Sequence, residues 1–488
     1  MIVALLVVPI LAALVAYFLR ADGPRRAVLV LTALAHAALA AATWVVAPAP
    51  AWGGWLGLDG PGRLFLGVTS TLFVAAALYA VAALRREVLG ARADFEEPFL
   101  FANAPEARFT AGLLLFLAAM TLVTVSQAFG LLWVAVEATT LASAPLIYFH
   151  RHHRSLEATW KYLLVCSVGI ALALLGNFFL AVAAAGHGAA GVSLALPDLV
   201  RDAGTLDVAW LKAAFILFLV GYGTKMGLAP LHTWLPDAHS EAPSVVSALL
   251  SGALLNCALL GIVRAQQVCA AAGEAAFGRG LLVGIGLVSM AVAAIFVVGQ
   301  ADYKRLLAYS SVEHMGILAL GIGLGGAGAS GGMLHAVNHS LTKAALFLVA
   351  GNILAEYRTK SASEVRGVLR VLPVSGVLWI AGFLAITGTP PFGSFLSELT
   401  ILKAALDQGR AFVALAYLVL LAVVFVGMAN VILPMAQGAP REPDRASRRE
   451  PLLGVVPAAC LAALVLLLGL YVPSAVRHAV EEAARGLG

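Results

Sequence analysis

The chain has 488 residues, 61% of them hydrophobic and 12% charged, with a formal net charge of +5 and a mean hydropathy of +0.94. Soluble domains carry about 25% charged residues, so that class is excluded. The small positive excess suits loops that orient membrane helices, and nucleic acid is not an expected partner.

Apolar stretches of about twenty residues, each long enough to cross a bilayer, predict an all-α membrane protein. About fourteen spans are expected, at 2–19, 27–47, 64–84, 109–128, 130–149, 158–184, 208–228, 243–268, 281–299, 306–325, 333–355, 372–402, 411–435 and 452–472. Span 1 has no basic residue ahead of it and no small-residue cleavage site behind it, so it reads as a retained helix. Basic residues gather in the odd-numbered loops: Arg20, Arg25 and Arg26; Arg85, Arg86 and Arg92; Arg151 and Arg154; Lys304 and Arg305; Arg358, Lys360, Arg366 and Arg370; and Arg441, Arg445, Arg448 and Arg449. That bias puts the odd loops in the cytoplasm and both termini outside.

Span 5 carries Glu137 in Gly130-Leu-Leu-Trp-Val-Ala-Val-Glu-Ala-Thr-Thr140. The loop Phe149-His-Arg-His-His-Arg154 after it reads as a topology or lipid-headgroup patch. Lys161 stands just inside span 6, where it either snorkels to the interface or tunes Glu137. Lys225 stands within Leu219-Val-Gly-Tyr-Gly-Thr-Lys-Met-Gly-Leu-Ala-Pro230 of span 7. A lysine at the centre of a membrane helix costs about 2.5–3.5 kcal/mol. The glycines and Pro230 predict a break there, and broken helices at membrane depth persist only inside protein or beside water. His232, Asp237, His239 and Glu241 follow in a connector that either admits protons or packs the broken end. Lys212 and Arg264, near the ends of spans 7 and 8, are expected to snorkel.

Gly323-Leu-Gly-Gly-Ala-Gly328 fits a dinucleotide glycine pattern but ends a membrane span with no strand before it, and is set aside. Glu313 and His314, one or two turns into span 10, either gate a polar path or form an interfacial patch. In span 11, His335, His339 and Lys343 recur at i, i+4 and i+8, which puts them on one helical face. Histidine titrates near neutrality, so such a ladder passes protons through intervening water. The two histidines also suit a metal by spacing, but no acidic or thiol ligand stands beside them in sequence, and no metal is expected. Span 12 breaks at Gly388-Thr-Pro-Pro-Phe-Gly393, and Glu398 follows, extending the chain His335–His339–Lys343–Glu398.

The two breaks fall in the fourth helix of two five-helix blocks, spans 4–8 (108–270) and spans 9–13 (271–440). A three-helix region (1–107) precedes them, and span 14 with a short tail (441–488) follows. An odd number of spans per block inverts the second relative to the first, and broken helices at matching places point to an ion site. Glu137 and Lys225 are therefore expected to form a buried relay; an inert ion pair would stabilise poorly. Cys166, Cys257, Cys269 and Cys460 show no paired spacing, so they read as packing residues, and no redox centre is expected in this chain.

These residues and their surroundings resemble a known family. Glu137 in Trp133-Val-Ala-Val-Glu-Ala-Thr-Thr140, Lys225 before Pro230-Leu-His-Thr-Trp-Leu-Pro-Asp-Ala-His239, and His335, His339 and Lys343 before Ala344-Ala-Leu-Phe-Leu348 resemble antiporter-like proton-pumping subunits. That family includes membrane subunits of respiratory complex I, Mrp cation/proton antiporters and membrane-bound hydrogenases. Val134–Ala144 and Glu157–Gly176 look most like the F-type subunit of hydrogenase-4 and formate hydrogenlyase.

The resemblance implies a proton-translocating subunit in the inner membrane of a prokaryote. It would hold no cofactor, and iron–sulfur clusters with a NiFe site or flavin would sit in a peripheral redox arm beside other membrane subunits. It implies Glu137 and Lys225 as the first-half switch, Lys161 as its tuner, and Glu398 near the far-side exit. The relay position of span 8, often lysine or histidine in the family, falls on Asn256, which cannot titrate, so transfer between halves would need held water. The tail 472–488 is too short for the long lateral helix of the complex I subunit that ends the pump array. An alternative implication is Na⁺/H⁺ antiport or inorganic-carbon uptake; a non-conducting scaffold leaves the buried charges unexplained.

Overall fold

The computed structural model describes residues 1–87, 90–95, 99–185, 192–439 and 449–488. Arg441, Arg445 and Arg448 of the basic loops lie outside the described residues, as does the side chain of Arg92.

The predicted spans are helices: Ile2–Phe18, Asp22–Val45, Gly60–Arg86, Glu106–Val125, Phe129–Ile147, His153–Ala185, Val208–Met226, Ser244–Ala271, Ala275–Val297, Tyr303–Leu324, Gly326–Tyr357, Pro373–Ile386 with Gly393–Asp407, Ala411–Gln437 and Leu452–Leu470. Eleven are individually long and apolar enough to cross a bilayer. The others fall short for local reasons. Span 1 has 17 residues, span 12 is divided into helices of 14 and 15 residues, and span 11 is diluted by His335, Asn338, His339 and Lys343. Among the described residues, the strands are one short hairpin pairing Ala91–Ala93 with Leu100–Ala102.

The apolar windows of spans 8 and 10 are fully buried, whereas spans 2 and 13 bury 33% and 28% of theirs. Spans 8 and 10 therefore form the axis, and spans 2 and 13 face lipid or neighbouring chains. Ion pairs gather the odd loops on one face: Arg154 to Asp94 (2.9 Å), Lys360 to Glu241 (2.6 Å) and Arg305 to Asp237 (2.7 Å). The even loops meet on the other, where Leu196 N–H donates to Gln127 O at 2.7 Å and Gln408 Nε2 to Leu324 O at 2.8 Å. The tail forms the helix Ser474–Ala484 on that second face, with Glu482 3.7 Å from Arg63.

Two expectations are corrected here. The loop 149–154 is not a free headgroup patch: Arg154 is taken up by Asp94, and His152 and Arg154 both lie 3.8 Å from Glu241, so its charge clamps loops together. Arg264 does not snorkel; it is 1% exposed and grips Asp59 Oδ1 at 2.9 Å, Thr124 O at 3.1 Å and Ser126 O. Its guanidinium supplies the donors that the last carbonyls of span 4 lack within their own helix. Lys212 pairs with Glu274 at 2.9 Å. Of the cysteines, Cys166, Cys257 and Cys269 are buried, while Cys460 is exposed.

The two helix breaks share one pattern. Gly227 (φ +84°) ends the first half of span 7, and Pro230 follows three residues later; Gly388 (φ +62°) ends the first half of span 12, and Pro391 follows three residues later. Both X–Pro bonds are cis. A side chain at either glycine would be strained by φ and blocked by a neighbour: a Cβ on Gly227 would stand 2.4 Å from Leu235 Cδ1. Span 8 opens into a π-helical segment, Leu250–Leu254, before Asn256.

Candidate functional site

Lys225 occupies the last turn of the first half of span 7, with no solvent exposure. The negative end of the half-helix favours its charge there. Its Nζ donates to Thr140 Oγ1 at 2.7 Å and to Tyr162 OH at 2.6 Å, and stands 4.5 Å from the centre of the Tyr162 ring. Thr140 in turn donates to Glu137 Oε2 at 3.2 Å, and Ser167 donates to Glu137 Oε1 at 2.8 Å. The expected pairing of Glu137 with Lys225 thus runs through Thr140. Tyr162 is held from behind by Ser143 at 2.7 Å. Lys161, its neighbour in sequence, turns away; it is half-exposed and binds Glu157 (2.6 Å) and Asp237 (3.0 Å).

Beyond the break, His232 is buried beside Phe296 and Tyr309. His239 is fully buried, with both ring nitrogens lacking hydrogen-bond partners. An aromatic series runs Tyr162–Trp234 (5.0 Å), Trp234–His239 (6.3 Å) and His239–Phe347 (5.3 Å), from the Lys225 cluster to span 11. On span 8, Asn256 Nδ2 donates to Ser340 Oγ at 2.7 Å, next to His339, while its Oδ1 is buried without a partner. An unsatisfied buried oxygen is a site for ordered water.

The second cluster is centred on His314. Its Nδ1 lies 2.8 Å from His335 Nε2, and its ring centre 5.0 Å from those of His335 and His339. Of the two alternatives for Glu313 and His314, the interfacial patch falls away: both are buried, with Glu313 Oε2 3.9 Å from His314 Nε2. The span 11 ladder is therefore interleaved with span 10. Lys343, two turns on, donates to Leu307 O at 2.7 Å. Glu398 comes close enough that one ligand-type atom from each of His314, His335 and Glu398 lies within 4.8 Å of the others. Its carboxylate packs on Gly388, where a Cβ would stand 1.9 Å from Oε2.

Hydrogen bonding assigns the imidazole tautomers. Ser397 Oγ spends its proton on Ser394 O at 2.9 Å, so it accepts from His335 Nδ1–H at 2.9 Å. His335 Nε2 then carries a lone pair, and His314 Nδ1–H donates to it. His314 Nε2 is left as the acceptor facing Glu313. That order of donors and acceptors is one along which a proton delivered at His314 Nε2 can pass to His335 by exchange along existing hydrogen bonds.

Tyr162, Thr140, Ser397 and the central place of His314 escaped the sequence reading. A polar residue one position before or after an intramembrane charge, as at Tyr162 and Ser397, was the signal available.

Two polar clusters, one of buried Lys225 with partly buried Glu137 and one wholly buried, each beside a broken helix and linked across a buried axis, define a transporter-like membrane subunit built on inverted repeats. Residues 126–436 match the family described as NADH:quinone oxidoreductase/Mrp antiporter, TM, and the chain belongs to that family. It is 44% identical over 290 residues to a hydrogenase-4 component F homolog from Methylacidiphilum infernorum (isolate V4), a match spanning 59% of this chain and 60% of that protein. The fold is shared with a chain of the membrane-bound sulfane sulfur reductase (MBS), an archaeal respiratory membrane complex, at TM-score 0.86 and 22% identity over 100% of this chain and 97% of that one. It is also shared with a chain of the Mrp complex from Dietzia sp. DQ12-45-1b, at TM-score 0.82 and 22% identity over 99% and 96%.

Proposed function

We propose that this chain translocates protons as an antiporter-like subunit of a complex I-like redox complex of hydrogenase-4 or NADH-quinone oxidoreductase type. Electron transfer occurs in partner subunits, which hold the iron–sulfur clusters and the NiFe site or flavin, and the odd-loop face is cytoplasmic in the inner membrane of a prokaryote. The observation that carries this reading is the placement of Lys225, with no exposure, on Thr140 and Tyr162 at a helix break. A proton entering at Glu137 changes the charge that Lys225 feels through one hydroxyl. Displacement of Lys225 toward Trp234 and His239 transmits that change to the second cluster, with water at Asn256 Oδ1 completing the crossing. His314, His335 and Glu398 then carry the proton to the even-loop face. Moving one charge against 100 mV needs about 2.3 kcal/mol, and reshuffling one or two hydrogen bonds to charged groups supplies that scale.

The test is purification of the complex from its native membrane and reconstitution into vesicles. Co-purification of redox subunits and electron-transfer-driven acidification that Glu137→Gln removes are the expected results. Sodium-dependent proton exchange without a redox partner favours the Mrp-type reading and overturns this one.

A further inference from the structure

The second cluster is arranged as a set of metal ligands. We propose that His335 Nε2, His314 Nδ1 and a Glu398 carboxylate oxygen bind one divalent transition ion of the Zn²⁺ class. Binding itself does not depend on the proposed function; the consequence, that a bound ion takes the histidine pair out of proton traffic, rests on it.

Spacing along span 11 suggested no metal because its histidines have no acid beside them; the acid arrives from span 12, and the second histidine from span 10. One ligand atom from each of the three residues lies within 4.8 Å of the others, and all three residues are buried. Ligands about 2.1 Å from a tetrahedral ion sit roughly 3.4 Å apart, so the 2.8 Å separation of His314 Nδ1 and His335 Nε2 opens by about 0.6 Å on binding while the Glu398 carboxylate closes in. Glu398 Oε1 and His314 Nε2 have no hydrogen-bond partners.

Metal-bound histidines donate their other N–H to an orienting acceptor; His335 has its acceptor in place, and His314 has a carboxylate that must close by about 1 Å to serve. His335 Nδ1 is 2.9 Å from Ser397 Oγ. When the ion takes His314 Nδ1, that proton shifts to Nε2, which faces Glu313 Oε2 at 3.9 Å. Two carboxylates, Glu398 in contact and Glu313 behind, match the two charges of the ion. Two imidazoles and one carboxylate, with water as fourth ligand, select Zn²⁺, Co²⁺ or Ni²⁺ over Mg²⁺ and Ca²⁺.

The full chain, purified in detergent and stripped with a chelator, is titrated with Zn²⁺ against a competing chromophoric chelator. Size exclusion and thermal melting check that each variant is folded. Expected is one zinc equivalent that Glu398→Gln and His335→Asn remove and that Ser397→Ala weakens by about tenfold or more. Zinc X-ray absorption is expected to show two imidazole nitrogens with oxygen. An equivalent unchanged by Glu398→Gln assigns the ion to surface histidines and overturns the proposal, as does folded wild-type protein that retains none. Three imidazoles in the absorption spectrum put His339 in place of Glu398 and overturn it too.

Discussion

Lys225 reaches Glu137 through the Thr140 hydroxyl, which accepts from Lys225 Nζ at 2.7 Å and donates to Glu137 Oε2 at 3.2 Å. A hydroxyl in that position transmits a change on one charge to the other while keeping them apart.

Thr140→Val preserves shape and removes the hydroxyl. Losing a hydrogen bond to a charged group costs about 1.5–3 kcal/mol, so electron-transfer-driven proton uptake in vesicles is expected to fall at least tenfold. Thr140→Ser restores it. Equal transport by Thr140→Val and wild type would remove Thr140 from the path.

Gly388→Ala brings a Cβ to 1.9 Å from Glu398 Oε2, at a φ of +62°. The expected result is displacement of the carboxylate, loss of transport, and a stability cost of several kcal/mol from backbone strain plus overpacking. Gly409→Ala is the control: φ is +66°, but nothing stands within 4 Å of its Cβ. It is expected to cost only about 1–2 kcal/mol and to leave transport intact. Thermal melting beside vesicle assays separates the two.

Asp59→Asn removes the carboxylate beneath the buried Arg264 guanidinium. Breaking a buried pair costs about 3–5 kcal/mol; because Asp59 is 19% exposed, water recovers part of this and about 2–3 kcal/mol is expected. Arg264→Lys does not rescue, since an ammonium cannot reproduce the fork that spans Asp59 and the span 4 carbonyls. Melting temperature is expected to drop while transport per folded molecule is unchanged.

How far these features were legible follows from what each residue reveals about its own helix. The spans were readable because twenty apolar residues are a one-dimensional signal, and the two breaks because glycine and proline act locally. Span 11 was readable in the same way, at 333–355, despite its polar ladder of His335, His339 and Lys343. Azimuth was not readable. Lys161 and Tyr162 differ by about 100° around span 6, and it is the uncharged one that meets Lys225. For His314 the sequence leaves a gate and an interfacial patch equally open, because its depth depends on the packing of span 10 inside the bundle. Arg264 near a span end fits both snorkelling and a buried clamp, and Asp59, 205 residues away, decides between them.

The central claim is that Lys225 relays a protonation change at Glu137 to the second cluster and so drives transport. Lys225→Ala in the whole complex, reconstituted into vesicles with a pH-sensitive dye inside, measures this directly. The account predicts normal assembly and electron transfer with no proton accumulation. Proton accumulation at the wild-type rate would contradict it.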